Sequence, residues 1–145
     1  MKKIIVLIVV LLNSIVSFGQ DISVDKVPSV ILNVFQQNFP KAVDVEWELD
    51  KKLYKVEFDI DQQEHEVWID PDGNIVKQKQ EISLQDLPKQ VSASIATNYK
   101  EYRVDEIEKM ITGTKTLYKV ELKKGFKELD VWFDMQGKVI DSPRK

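Results

Sequence analysis

Leu53-Tyr54-Lys55-Val56-Glu57-Phe58 returns further along the chain as Leu117-Tyr118-Lys119-Val120-Glu121-Leu122, and a Trp follows the Val of each run at the same interval, Trp68 and then Trp132. From Leu53 to Val76 a constant offset of 64 gives ten identities in twenty-four positions, among them Glu64/Glu128, Val67/Val131, Asp70/Asp134 and Gly73/Gly137. Upstream the offset is 60, pairing Ile22-Ser23 with Ile82-Ser83 and Val27-Pro28 with Leu87-Pro88. The second copy therefore carries four extra residues between its helix and its Leu-Tyr-Lys-Val-Glu strand. An internal duplication divides the chain into a leader over 1–19, a first repeat over 20–81 and a second over 82–145.

The leader reads as a secretory signal peptide. Lys2-Lys3 precede an unbroken apolar run from Ile4 to Leu12, and small residues at Ser17 and Gly19 put the expected cut before Gln20. That run is shorter than the ~20 apolar residues of a membrane-spanning helix. The chain has no cysteine, so neither a Cys-linked lipid nor a disulfide is expected, which suits a bacterial envelope protein. Lys2 and Lys3 leave with the leader, so 19 of the 21 basic residues remain against 24 acidic ones, a net charge of −5. Nucleic acid is disfavoured as a partner by that balance, and no membrane role is expected after cleavage. The protein is expected to be periplasmic or secreted.

Each repeat opens with an amphipathic helix. Val27, Ile31, Phe35 and Phe39 recur every four residues, as do Leu87, Val91, Ile95 and Tyr99. Pro28 and Pro88 mark the starts, because the first-turn amides have no acceptor within the helix. Afterwards the period becomes two. Val43, Val45, Trp47 and Leu49 alternate with acids; Tyr54, Val56, Phe58 and Ile60 form the next apolar row; His65, Val67 and Ile69 form the third. A turn at Asp70-Pro71-Asp72-Gly73-Asn74 leads to a short fourth strand through Ile75 and Val76, and Gln78 to Gln85 reads as a short polar connector. The second copy repeats the last three strands, but Val104, Ile107, Met110 and Ile111 break alternation, so a bulge or offset is expected there.

The expected fold is α+β: a tandem repeat of a helix plus a four-stranded antiparallel meander, forming one curved sheet with both helices on one face. Phe35 and Ile95 should be equivalent core residues, packed on Val56/Phe58 and Val120/Leu122.

The tandem unit, the Val27-Pro28 and Leu87-Pro88 helix starts, the Leu-Tyr-Lys-Val-Glu strands and the Val-Trp-(Ile/Phe)-Asp segments resemble the secreted PepSY-like, beta-lactamase-inhibitor-like proteins of Bacteroidetes. The resemblance spans residues 22–141 and rests on structural motifs. It implies a non-enzymatic binding or inhibitory module in the periplasm or outside the cell, with the open sheet face as the surface to watch.

Strand parity puts Trp68 and Trp132 on the face away from the helices, among Lys55, Glu57, Glu66 and Asp70 in one copy and Lys119, Glu121, Asp130 and Asp134 in the other. A partner-binding face of Trp68, Trp132, Lys55, Glu57, Lys119 and Glu121 is one reading, with both rings substantially exposed and the partner a protein or peptide of the envelope. The other is that each Trp covers neighbouring Lys stems and stiffens the sheet. Trp47 belongs to the apolar row and to the core. His65, the only histidine, matches Leu129 and reads as a polar spacer. With one His and no Cys, no catalytic residue, metal site or cofactor is assigned, and an enzyme is not expected. An alternative function, small-ligand or cation binding, would use the acidic strand ends at Asp59, Asp61, Asp70 and Asp72. Against it, the Asp70 turn lacks the later bidentate acid of a calcium loop, and its counterpart at Asp134 replaces acids with Gln136 and Lys138.

Overall fold

The structure, a computed structural model, describes residues 19–141; the expected leader, but for Gly19, lies outside the described residues. In each repeat a one-turn 3-10 segment, Val24–Lys26 or Leu84–Asp86, leads into an α-helix, α1 over Ser29–Asn38 and α2 over Lys89–Asn98. Pro28 and Pro88 are the residues before the first helical one, as their missing N–H groups require. Each helix closes on its own apolar stripe, with Phe39 N–H donating to the Phe35 carbonyl and Tyr99 N–H to the Ile95 carbonyl.

Nine strands follow one another in chain order in a single antiparallel sheet among the described residues: β1 (Gln20–Asp21), β2 (Val43–Asp50), β3 (Leu53–Ile60), β4 (Gln63–Ile69), β5 (Ile75–Glu81), β6 (Arg103–Thr112), β7 (Lys115–Lys124), β8 (Lys127–Asp134) and β9 (Val139–Ile140). The four extra residues of the second repeat lengthen its β6–β7 hairpin, whose partners Glu108↔Lys119 match Glu48↔Lys55 of the β2–β3 hairpin.

β5 is longer than its sequence suggests. It runs through the polar stretch to Glu81 and pairs with β6 from Lys77↔Thr112 to Glu81↔Glu108, joining the repeats into one sheet. Gln78 and Gln80 carry no apolar signal, yet a strand held on both sides by ladders needs none.

Two apolar clusters hold the elements together. Ile31 and Phe35 pack with Trp47, Val56, Phe58, Val67 and Ile69, and Val91 and Ile95 with Ile107, Val120, Leu122, Val131 and Phe133. Phe35 lies 5.3 Å from Trp47 and 5.0 Å from Phe58 in edge-on contacts. Cross-strand partners carry the Val56 row through Val67, Gln78 and Ile111, and the Ile111 row of β6 includes Ile107, the partner of Val120. Both clusters therefore lie on the same face of the sheet, since directly opposed residues share a face.

The expected bulge in β6 is present between Val104 and Glu106. Its counterpart in β2, between Val43 and Glu46, was hidden by an alternation that looks regular. Asp44 adopts φ 51°, and the inserted residue turns Val43 and Val45 out of the core row, leaving them 55% and 40% exposed where the pattern predicted cover.

Candidate functional site

The face opposite the apolar clusters is built from the other residues of each strand: Glu48 and Asp50 of β2, Lys55 and Glu57 of β3, Glu66 and Trp68 of β4, Lys77 and Lys79 of β5, Glu108 of β6, Lys119 and Glu121 of β7, Asp130 and Trp132 of β8. The register sets Lys55 directly opposite Trp68 and Lys119 opposite Trp132, while Glu57 faces Glu66 and Glu121 faces Asp130. All six residues of the expected partner face are thus on it, in two equivalent groups.

A row of alternating charge crosses this face from β2 to β8. Lys55 Nζ reaches Glu48 Oε2 at 3.4 Å and Glu66 Oε2 at 3.0 Å, and it also bonds Glu57. Lys79 bonds the other oxygen of Glu66 and lies 2.9 Å from Glu108 Oε1. Lys119 then spans Glu108 Oε2 at 3.6 Å and Asp130 Oδ2 at 3.3 Å. Since Lys79 and Glu108 stand on the two strands that join the repeats, the row ties one copy to the other.

Glu66 sits at its centre, only 7% exposed. Burial works to raise its pKa, but the hydrogen bonds and charges of Lys79 and Lys55 outweigh burial and hold the carboxyl below its ordinary value. Burial likewise works to lower the pKa of Lys79 and Lys55, and their carboxylate partners reverse it, so both ammonium groups lie above the ordinary lysine range.

The two tryptophans part company here. Trp68 is on the predicted face but is only 7% exposed, against the expectation of a substantially open ring. Its Nε1–H donates to Asp50 Oδ2 at 3.0 Å, Lys77 Nζ lies 4.1 Å from the ring centroid, and Lys55 Nζ lies 5.6 Å from it. Burial lowers the pKa of Lys77, while the Glu66 charge works to raise it. The ring thus fills a clamp of one acid and two lysines, a cation–π arrangement that stiffens the sheet.

Among the described residues Trp132 has no such clamp. Met110 occupies the β6 place of Asp50, and Ile140, not a lysine, is its partner on β9. The ring is half-buried and lines an open cleft of about 380 Å³ with Tyr99, Leu129, Asp130, Val131, Val139, Ile140 and Asp141. β9 is two residues long, whereas β5 pairs with β4 from Ile69 to His65, so the cleft opens where β8 has lost cover that β4 keeps.

His65 stacks on Phe58 at 5.3 Å and is half-buried, with burial lowering its pKa against the Asp59 charge, as suits a polar spacer. Asp70 Oδ1 accepts from the amides of Asp72 and Asn74 at 3.0 and 2.8 Å, and Asp134 Oδ1 from those of Gln136 and Lys138 at 2.9 Å each. Asp70, one of the four carboxylates of the alternative acidic site, is therefore occupied in closing a hairpin turn, and its counterpart Asp134 does the same work.

With this geometry in view, the chain's kinship is informative. A family described as "Putative beta-lactamase-inhibitor-like, PepSY-like" matches it twice, over residues 15–77 and 60–141. The chain belongs to this family. Among solved structures, a DUF2874 family protein from Bacteroides uniformis is 19% identical, with a TM-score of 0.69 over 79% of this chain and 86% of its own. A BLIP-like protein from Bacteroides fragilis is 24% identical, with a TM-score of 0.66 over 78% of this chain and 82% of its own. One from Bacteroides eggerthii, described as a putative periplasmic protein, is 19% identical with a TM-score of 0.69, over 78% and 85%. At these identities the likeness establishes a shared fold. No curated protein matches the chain by sequence.

Lys77, Lys79, Glu108 and Asp50 were not singled out in the sequence. The signal for the two lysines was the alternation Lys77-Gln78-Lys79-Gln80, a strand pattern with one charged face, but their acid partners follow only from the β5–β6 pairing. Also unmarked was Phe126, fully exposed at the β7–β8 turn beside Gly125.

Proposed function

We propose that this PepSY-like protein is an exported, non-enzymatic module that binds a protein or peptide through the charged face of its sheet, with both helices covering the other face. The observation that carries the reading is the asymmetry of the duplicated tryptophans: one is clamped, and the other, opposite Lys119 on the charged face, stands partly open in a cleft that it lines with Asp130. A half-open aromatic among charges gives a partner both apolar area and orientation. The clamped half, with Lys55, Glu57 and Trp68, forms the rigid side of the surface. Support for export comes from the leader pattern and from the description of the Bacteroides eggerthii neighbour. Among the described residues no helix is long and apolar enough to cross a membrane.

The reading is tested by photo-crosslinking the mature protein in an envelope extract, with the crosslinker placed at Glu121, and comparing Trp132→Ala and Lys119→Gln backgrounds, the latter leaving Glu108 its other partner, Lys79. A discrete adduct that weakens in both backgrounds, while their thermal stability stays near that of the parent, is expected. An adduct indifferent to both substitutions would refute the sheet face as the binding surface.

A further inference from the structure

The two repeats end differently, and among the described residues the difference leaves part of a strand edge without a partner. In the first, β5 runs beside β4 with Gln78, Lys79 and Gln80 opposite Val67, Glu66 and His65. In the second, β9 pairs only with Phe133 and Trp132, so Val131, Asp130 and Leu129, the matching positions of β8, have no strand partner on that side among the described residues. Asp134 N–H donates to the Lys138 carbonyl across the β8–β9 turn. Backbone groups alternate sides along a strand, so the N–H and C=O of Asp130 and Glu128 point to this same edge. The edge borders the cleft at Trp132.

We infer that the β8 edge takes an extended peptide in antiparallel pairing, and that the peptide carries lysine or arginine at every second position. This goes beyond the sheet-face reading, because recognition here is by backbone ladder and charge and not by the face. The chemistry of the occupant follows from the first repeat and from the side chains on offer. Glu66 in β4 is matched by Lys79 of β5, and its counterpart Asp130 stands 52% exposed, with Glu128 at 65%. A strand with cations facing those carboxylates completes the charge row that otherwise stops at Asp130. A second copy of β8 is the wrong occupant. Antiparallel self-pairing about Asp130 would set that acid against itself, and pairing about Leu129 would set Glu128 against Asp130; like charges directly opposed destabilise a ladder unless a cation bridges them, as Lys55 bridges Glu57 and Glu66, and a second β8 brings no lysine to that face.

The probe is the hexapeptide (Lys-Gln)3, extending the Lys77–Gln80 pattern, titrated into 15N-labelled full mature protein. Amide shifts centred on Leu129, Asp130 and Val131, with movement of the Trp132 indole, are expected. Because Asp130 faces the edge with its backbone, the opposing lysine must do so too. N-methylation of the lysine amides should therefore weaken binding by more than about tenfold, while N-methylation of the glutamine amides should leave it unchanged, since those point away. The peptide (Glu-Gln)3 should bind at least about tenfold more weakly than the parent.

Equal tolerance of both methylation patterns would reduce the contact to loose electrostatics and overturn the proposal, as would shifts centred elsewhere or no shifts. An Asp130 amide already protected from exchange in the free protein would also overturn it, showing the edge filled by the chain's own end or by a second copy. Loss of the sheet-face adduct described above leaves these outcomes untouched, since the methylation contrast reads the edge alone.

Discussion

Glu66→Gln should be the most informative single change in the sheet. It leaves shape and volume almost intact and removes one charge from the centre of the row. In the parent, each oxygen of Glu66 serves a different lysine, Lys55 on β3 and Lys79 on β5. Both lysines keep other partners after the change, Glu48 and Glu57 for one and Glu108 for the other, so neither becomes an isolated buried charge. The cost should then fall below the ~3–5 kcal/mol of orphaning a buried partner and near the ~2 kcal/mol of losing charge-assisted hydrogen bonds. Urea unfolding followed by far-ultraviolet dichroism reads it as a lower midpoint at unchanged slope. The pH dependence gives a second, independent check. The native pKa of Glu66 lies below the ordinary value of 4.5, so its contribution is present in full above that pH and is lost as pH falls through the lower native value. The gap between parent and Glu66→Gln should hold from pH 7 to about 5 and narrow below the carboxylate range. A cost under about 0.5 kcal/mol at pH 7, the scale of an ordinary surface change, or a gap that stays constant into acid, would show that the row is decorative.

Other expectations follow from the same geometry. Phe35→Ala removes a buried ring in contact with Phe39, Trp47 and Phe58 and should cost about 3–5 kcal/mol in the same assay, whereas a loss near 1 kcal/mol would place the helix face wrongly. Trp68→Ala should cost about 3 kcal/mol or more, with its hydrogen bond and two cations lost, and Trp132→Ala clearly less. Acrylamide should accordingly quench Trp132 in preference to Trp47 and Trp68, read in single-Trp variants. Gly137→Ala should destabilise more than Gly73→Ala. Both glycines have positive φ, but at 137 a methyl group would run into the Gln90 carbonyl in the first turn of α2, whereas at 73 it would meet Val30 and Val34 side chains at 3.3–3.4 Å; equal midpoints would refute that backbone contact.

Most of the fold was legible because duplication doubled every weak signal. The four-residue stripe of α1 is ordinary by itself, but the same stripe at Leu87, Val91 and Ile95 fixes both helices and their Pro starts. Misreadings arose where two levels of structure compete. At Val43 and Val45 the residue pattern is regular while the backbone is not: a single left-handed residue, Asp44, shifts parity and exposes both valines. At Gln78 and Gln80 the reverse holds, since a regular strand runs through residues with no apolar signal because β4 and β6 satisfy its backbone on both sides. Strand parity gives the correct face for Trp68, yet its exposure depends on Asp50 and Lys77, neither of them adjacent in sequence. Parity gives a direction; the cover over a side chain is set by what neighbouring strands place beside it.

The charge row also bears on how the duplicated sheet avoids pairing wrongly. A one-residue slip of β5 against β6 would put Lys79 out of phase with the Glu108 face and bring Gln80 or Ile82 opposite Glu108 in place of Glu81, breaking a chain of ion pairs as well as the core rows. The two ends of the sheet need a different safeguard, because among the described residues no further strand corrects them. At one end, β1 and the Asp44 bulge shorten the available edge of β2. At the other, Glu128 and Asp130 stand exposed along the open part of β8. Acids there repel a second acidic edge, which disfavours pairing between copies of the same protein. Repulsion of that kind is selective, however, since the field that rejects another β8 attracts a strand bearing cations at alternate positions. The substitution that separates the two effects is Asp130→Asn: it should raise the tendency to self-associate in sedimentation while lowering the affinity for (Lys-Gln)3. If both moved in the same direction, protection of the edge and recognition at the edge could not share these side chains.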